Sequence, residues 1–228
     1  MFTNDEERTG SFTFAAEGRP EPSSPLFYGK LSHPSAKSGV TIGAGYDMGG
    51  RSESQITTDL VAAGVNAEVA AKMAKGHGLT GAKAEEFVKT NRPTLVVNDV
   101  AVLKKLFDNT YPGYVTRAKQ CFDYHAKTFK ATMPTYGTDY KNATFFDWQY
   151  LYPAVRVVAI DLVYQGFGRQ AAGYGKPLHF CMANDFDWLV KYIQASSLNQ
   201  YEAGRGRAKY LRGKKALETA AYSSCPIK

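Results

Sequence analysis

Three side chains in the N-terminal quarter have the types and spacing for acid–base chemistry on a glycosidic bond. Glu17 stands where the run Phe12-Thr13-Phe14-Ala15-Ala16 stops at Gly18. Thr41 and Asp47 flank a glycine-punctuated β segment, Val40-Thr41-Ile42-Gly43-Ala44-Gly45-Tyr46-Asp47. Cleaving a glycoside needs a proton donor for the leaving oxygen, and a second group that activates water or stabilises oxocarbenium-like charge. A carboxylic acid at a helix end, facing a carboxylate and a hydroxyl on a β segment, meets that need. By the period of two, Thr41, Gly43, Gly45 and Asp47 share one strand face. Little side-chain bulk then lies between Thr41 and Asp47, which leaves room for a sugar. Each residue also has a plainer reading. Glu17 would be an exposed acid at a helix C-terminus, Thr41 a β-branched strand residue, and Asp47 a cap on the turn near Gly50.

The elements that must position these groups follow from pattern. Residues 1–10 read as a loose lead-in, and Ser11 to Ala16 as a helix stopped by Gly18 and Pro20. Residues 19–39 hold four prolines and many serines and read as a long ordered loop, with one short strand at Phe27 to Leu31. Val40 to Tyr46 is a second strand. From Ser52 the period becomes helical: Gln55 to Ala63, Asn66 to Lys75, Thr80 to Thr90 and Asn98 to Phe107, then a separate helix from Tyr114 to Phe129 beyond Pro112. Residues 130–147 read as irregular. Trp148 to Gln165 is apolar almost throughout and reads as a central buried helix ended by Gly166 and Gly168. Leu178 to Ala183, Asp187 to Ala195 and a basic helix from Gln200 to Thr219 complete the chain. The fold class is α+β, mainly α: one domain over 1–228, with a helix end and small β lobe at about 12–50 and a helical body at about 51–228.

Composition excludes several classes. The chain has 228 residues, 44% hydrophobic and 21% charged, ordinary for a globular protein. No apolar run approaches the ~20 residues of a membrane helix, so no stable membrane insertion is expected. The charged opening Met-Phe-Thr-Asn-Asp-Glu-Glu-Arg lacks an apolar core, so no Sec-type signal is expected. Cys121, Cys181 and Cys225 are far apart and odd in number, and read as buried or incidental thiols. His33, His77, His125 and His179 lack zinc-ligand spacing, and neither metal nor cofactor is expected. The net charge of +7 fits solubility or a polyanionic partner such as a cell wall. Its main cluster is Arg205, Arg207, Lys209, Arg212, Lys214 and Lys215, and no nucleic-acid motif accompanies it. Arg205, Arg207 and Lys209 read as the solvated face of a helix, with attraction to an anionic wall as the alternative.

Four motifs in order carry a resemblance. Glu17-Gly18 at a helix end, Thr41-Ile42-Gly43-Ala44-Gly45, Ala159-Ile160-Asp161-Leu162-Val163-Tyr164-Gln165 and Gly204-Arg205-Gly206-Arg207-Ala208-Lys209-Tyr210 together resemble the phage-type lysozymes, glycoside hydrolase family 24. The chain looks closest to the pesticin-like lysozyme domains of bacteriocins and secreted antibacterial effectors. The phage enzymes carry a catalytic aspartate between the Glu and the Thr, but no aspartate lies between Gly18 and Val40 here. In pesticin-like sequences the strand runs on as Gly-Tyr-Asp, which Tyr46-Asp47 matches. The resemblance implies a lysozyme-like fold and an N-acetylmuramidase. Glu17 would be the general acid, Asp47 the charge stabiliser or base, and Thr41 the residue that orients water. Gln165 would hydrogen-bond sugar or simply close its helix, and Tyr28 and Tyr46 would stack on sugar rings. The implied partners are peptidoglycan glycan strands and a cognate immunity protein. The implied setting is non-Sec delivery, as a secretion-system effector or bacteriocin module, with action in the periplasm of a target cell; the alternatives are a phage endolysin and a non-catalytic peptidoglycan-binding module of the same fold.

Overall fold

The computed structural model describes residues 5–17, 28–132, 145–170 and 176–223. In chain order the helices and strands are α1 (Asp5–Thr9), α2 (Ser11–Glu17), β1 (Thr41–Ile42), β2 (Tyr46–Asp47), α3 (Glu53–Ala63), α4 (Ala67–Ala74), α5 (Gly81–Asn91), α6 (Val100–Thr132), α7 (Pro153–Tyr164), α8 (Lys176–Met182), α9 (Phe186–Ala195), α10 (Glu202–Arg205) and α11 (Arg207–Ser223). A 3₁₀ turn at Trp148–Tyr150 precedes α7, and another at Ser197–Tyr201 precedes α10. The class is α+β and mainly α, with a small antiparallel sheet. The chain divides into two compact units: Met1–Ala16 with Pro112–Lys228, and Glu17–Tyr111.

The unit from Glu17 to Tyr111 builds a small β layer from very short pieces. Ser32 and Thr41 exchange both backbone hydrogen bonds at 2.8 Å, and Met48 N–H donates to the Val40 carbonyl. The expected single strand over Val40 to Tyr46 is a hairpin instead. Gly43 and Gly45 have φ of 63° and 85°, a left-handed region open to glycine, and the chain reverses there. Beyond the hairpin, α3 starts at Ser52, whose hydroxyl accepts from Gln55 N–H, and ends at Gly64 in the left-handed conformation. Asn66 caps α4 in the same manner.

Helix α6 runs unbroken through Pro112, where the sequence suggested two helices. Its buried positions Leu103, Leu106, Phe107, Tyr111, Ala118, Cys121, Phe122 and His125 continue the helical period across the proline. The proline removes one backbone donor and costs about 3 kcal/mol; the buried stripe on either side outweighs that. Thr110 and Thr116 bond the Leu106 and Pro112 carbonyls.

In the other unit, residues 153–163 are all buried and α7 is its centre. Pro153 occupies the first helical turn, where its missing N–H is harmless. Across from it, both carboxylate oxygens of Glu218 on α11 accept from Ala154 N–H at 3.1–3.2 Å. That places an acid on the positive end of the helix, while burial raises its carboxyl above the ordinary range. The expected loose lead-in is helical at α1. Glu7 pairs with Arg156 at 2.9 Å, and Glu6 with Lys214 at 2.9 Å and the Tyr210 hydroxyl at 2.6 Å. The expected basic helix from Gln200 to Thr219 is cut by Gly206 at φ 65°.

Arg205 and Arg207 are not on a solvated face. Asp161, fully buried in α7, receives Arg205 on one oxygen at 2.8 Å and Arg207 on the other at 2.7 Å. Arg207 is 0% exposed. It also donates to the Gln165 side-chain oxygen and faces Glu202 at 3.7 Å. Glu202 in turn accepts from Ala208 N–H at 2.9 Å, which fixes the start of α11. Lys209 alone of the three stays exposed.

Two expectations follow. Arg207→Met leaves Asp161 without its fully buried counter-charge, and should cost about 3–5 kcal/mol in urea unfolding. His179 packs edge-on against His125, both buried, with centroids 5.8 Å apart. Desolvation first, then His125 and Lys176, holds His179 down to about 4 from its ordinary 6.5. The folded state keeps that ring neutral while the unfolded chain protonates it near 6.5. Its stabilising contribution is therefore complete above pH 6.5 and is lost as pH falls toward 4. Unfolding free energies across that window should slope less steeply in His179→Phe than in the wild type.

Candidate functional site

The hairpin brings Thr41 and Asp47 directly opposite each other, since the register pairs Thr41 with Asp47 and Ile42 with Tyr46. Both backbone hydrogen bonds of Thr41 go to Ser32. Thr41 and Asp47 are thus the closely spaced, non-hydrogen-bonded kind of antiparallel pair, with Cα atoms about 4.5 Å apart and side chains on the same face. The sequence reading reached the same shared face by a different route, along one strand rather than across two.

Backbone donors hold the Asp47 carboxylate. One oxygen accepts from Gly49 N–H at 2.7 Å, an Asx turn two residues on. The other accepts from Gly39 N–H at 3.0 Å. The capping role the sequence allowed for Asp47 is thereby present. Each carboxylate oxygen retains a second acceptor direction. The Thr41 hydroxyl lies 3.3 Å from the Gly39 carbonyl, in a residue only 6% exposed. Gly39 therefore meets both candidate side chains. A Cβ at Gly39 would sit 2.4 Å from the Asp47 carboxylate and 2.5 Å from the Gly49 backbone, so only glycine fits.

Arg51 and Asp59 were not read from the sequence as site residues. The Arg51 guanidinium lies 4.2 Å from the Tyr46 ring centroid and donates to the Asp47 carbonyl. The Tyr46 hydroxyl donates to Asp59 on α3 at 2.7 Å. This clamp fixes β2 against α3. It also corrects the stacking role given to Tyr46, which is 4% exposed with a cation over its ring. Tyr28, 7% exposed, is likewise not an open platform; its carbonyl accepts from Gly43 N–H at 2.7 Å. Gln165 lies in the other unit, where its side-chain oxygen serves Arg207 rather than an open subsite. Glu17, half-buried, is the last residue of α2 and the first of its unit. Residues 18–27, and with them Gly18 and Phe27, lie outside the described residues.

Among the described residues, no group of three histidine, cysteine or acidic side chains converges as a metal site. No helix there is long and apolar enough to cross a membrane. Cys121 and Cys181 are buried free thiols, and burial pushes Cys181 up to about 12, far from a reactive thiolate. Cys225 lies outside the described residues.

A hairpin carboxylate and hydroxyl on a mainly helical α+β scaffold define the site. Residues 10–198 match the family model described as Domain of unknown function (DUF8812), and the chain belongs to that family. No curated protein matches the chain.

The fit at Gly39 is directly testable. Gly39→Ala should cost about 1–3 kcal/mol or more, because backbone as well as a side chain must move. Gly50→Ala, which meets nothing within 4 Å, should stay within about 0.5 kcal/mol of wild type. Paired thermal melts of the two variants check this.

Proposed function

We propose that this chain is a peptidoglycan hydrolase, an N-acetylmuramidase that cleaves the β-1,4 bond between N-acetylmuramic acid and N-acetylglucosamine. The observation that carries the reading is the Thr41–Asp47 cross-strand pair: a hydroxyl beside a carboxylate on one hairpin face. The order of the four lysozyme-type motifs and the mainly helical fold support it. In this mechanism Glu17 gives its proton to the leaving glycosidic oxygen as the C1–O bond breaks. Asp47, held by the Gly39 and Gly49 amides, stabilises charge at C1 or takes a proton from the attacking water. Thr41 orients that water. Such a protein would act on the wall of a target cell as an antibacterial effector or toxin, with an immunity protein as partner in the producing cell.

A second reading, a module that holds glycan without cutting it, is favoured by one observation. Both Asp47 oxygens and the Thr41 hydroxyl already have backbone partners that build the loop. Release of reducing ends from purified peptidoglycan separates the two. The hydrolase releases them, and Glu17→Gln lowers the rate by about 10²-fold or more, the usual worth of a general acid. A Glu17→Gln protein that matches wild type removes Glu17 from the mechanism, and a wild-type protein that releases none is the binding module.

A further inference from the structure

The surplus of positive charge is concentrated in one unit. Met1–Ala16 with Pro112–Lys228 holds 17 of the 28 basic and 11 of the 21 acidic residues, an excess of six, which leaves an excess of one for the other unit. Most of the C-terminal basic cluster is already engaged. Arg205 and Arg207 neutralise Asp161, Lys214 pairs with Glu6, and Lys215 pairs with Asp187. Arg212 is different, because its side chain donates to the neutral Gln194 amide at 2.7 Å. That contact aims the guanidinium without cancelling its charge.

Arg212 lies on the rim of an open groove of about 480 Å³ between α9 and α11. Asp187, Val190, Lys191, Gln194 and Ala195, one face of α9 by their spacing, complete it. Val190 and Ala195 supply an apolar floor. Lys191 is exposed, and Asp187, the acid in the lining, is occupied by Lys215. The groove thus offers an aimed guanidinium fork and an ammonium above an apolar floor. A planar oxyanion carried on a part-apolar chain fits it, since guanidinium binds carboxylate through two parallel hydrogen bonds.

We propose that the α9–α11 groove is a second binding site, which takes the carboxylates of peptidoglycan peptide stems and holds the protein on its polymer. The identity of that polymer rests on the hydrolase reading; the groove and its charge do not. Arg212 and Gln194 receive the carboxylate, Lys191 supplies the second positive charge, and Val190 and Ala195 pack against the aliphatic part of the stem.

The test is co-sedimentation with purified peptidoglycan stripped of phosphate-bearing polymers. It compares wild type with Lys191→Ala/Arg212→Ala, on native sacculi and on sacculi whose carboxyls have been amidated. Both substituted side chains are exposed, and matched near-UV circular dichroism verifies that the variant is folded. The double variant should bind native sacculi about fivefold to tenfold more weakly. Amidation should weaken wild type by a similar factor and leave the variant unchanged. Equal binding of the two proteins to native sacculi, or equal loss of both on amidation, overturns the site. Reducing-end release is measured on the same samples. A protein that releases none yet shows this binding difference keeps the groove and loses the hydrolase.

Discussion

A carboxylate in the middle of an otherwise apolar buried helix imposes a condition on everything around it. Asp161 is 0% exposed among valines, leucine and isoleucine of α7. A bare charge there is prohibitively costly, so it must be met by cations that are themselves hydrogen-bonded. Arg205 and Arg207 supply one contact to each oxygen. That requirement fixes where α10 ends, why Gly206 bends the chain, and where α11 begins. Gln165 and Glu202 take part in the same network, as partners of Arg207. The return of α11 along α7 then places Glu218 over the first turn of that helix. One aspartate therefore links the core helix of its unit to the last two helices of the chain.

The hairpin applies the same principle on a smaller scale. Strands of two residues cannot hold themselves together by backbone pairing alone. Asp47 compensates by bonding Gly39 on one side and Gly49 on the other, and the Arg51–Tyr46–Asp59 clamp holds β2 from outside. Gly39 is forced by this close approach, and Gly43 and Gly45 are favoured by their positive φ. The same packing sets Thr41 opposite Asp47. Loop building and side-chain placement are thus one event, and the chemistry proposed for the site depends on a carboxylate that also serves as a structural anchor.

Much of this was legible in the chain. The caps at Ser52 and Asn66 and the glycine stops give α3 and α4 within two residues of their observed ends; the apolar run from Trp148 marks the core helix but overruns its start, because Trp148–Tyr150 is a separate 3₁₀ turn and α7 begins only at Pro153. Alternation along one strand puts Thr41 and Asp47 on a common face, but their direct pairing across a hairpin is not legible, because two-residue strands are too short to show where the chain reverses. Other features depended on partners distant in sequence. Glu6 and Glu7 look like a solvated tail until Arg156, Lys214 and Tyr210 arrive from more than a hundred residues away. Arg205 and Arg207 look like surface charge. The signal that would have placed them was present at Asp161, since an acid in a buried apolar helix demands a counter-charge. Pro112 suggested a break, yet the apolar period continued on both sides of it, and that period was the better guide.

The proposed activity stands on the hairpin pair together with Glu17, and it makes a chemical demand that a binding module or a transglycosylase does not share: water must be added across the cut bond. Digestion of purified peptidoglycan in oxygen-18 water, followed by mass spectrometry of the soluble fragments, reads that demand directly. A muramidase releases fragments ending in a reducing N-acetylmuramic acid that carries one oxygen-18 from solvent. Anhydro-muramyl ends, or the absence of soluble fragments, would rule that activity out.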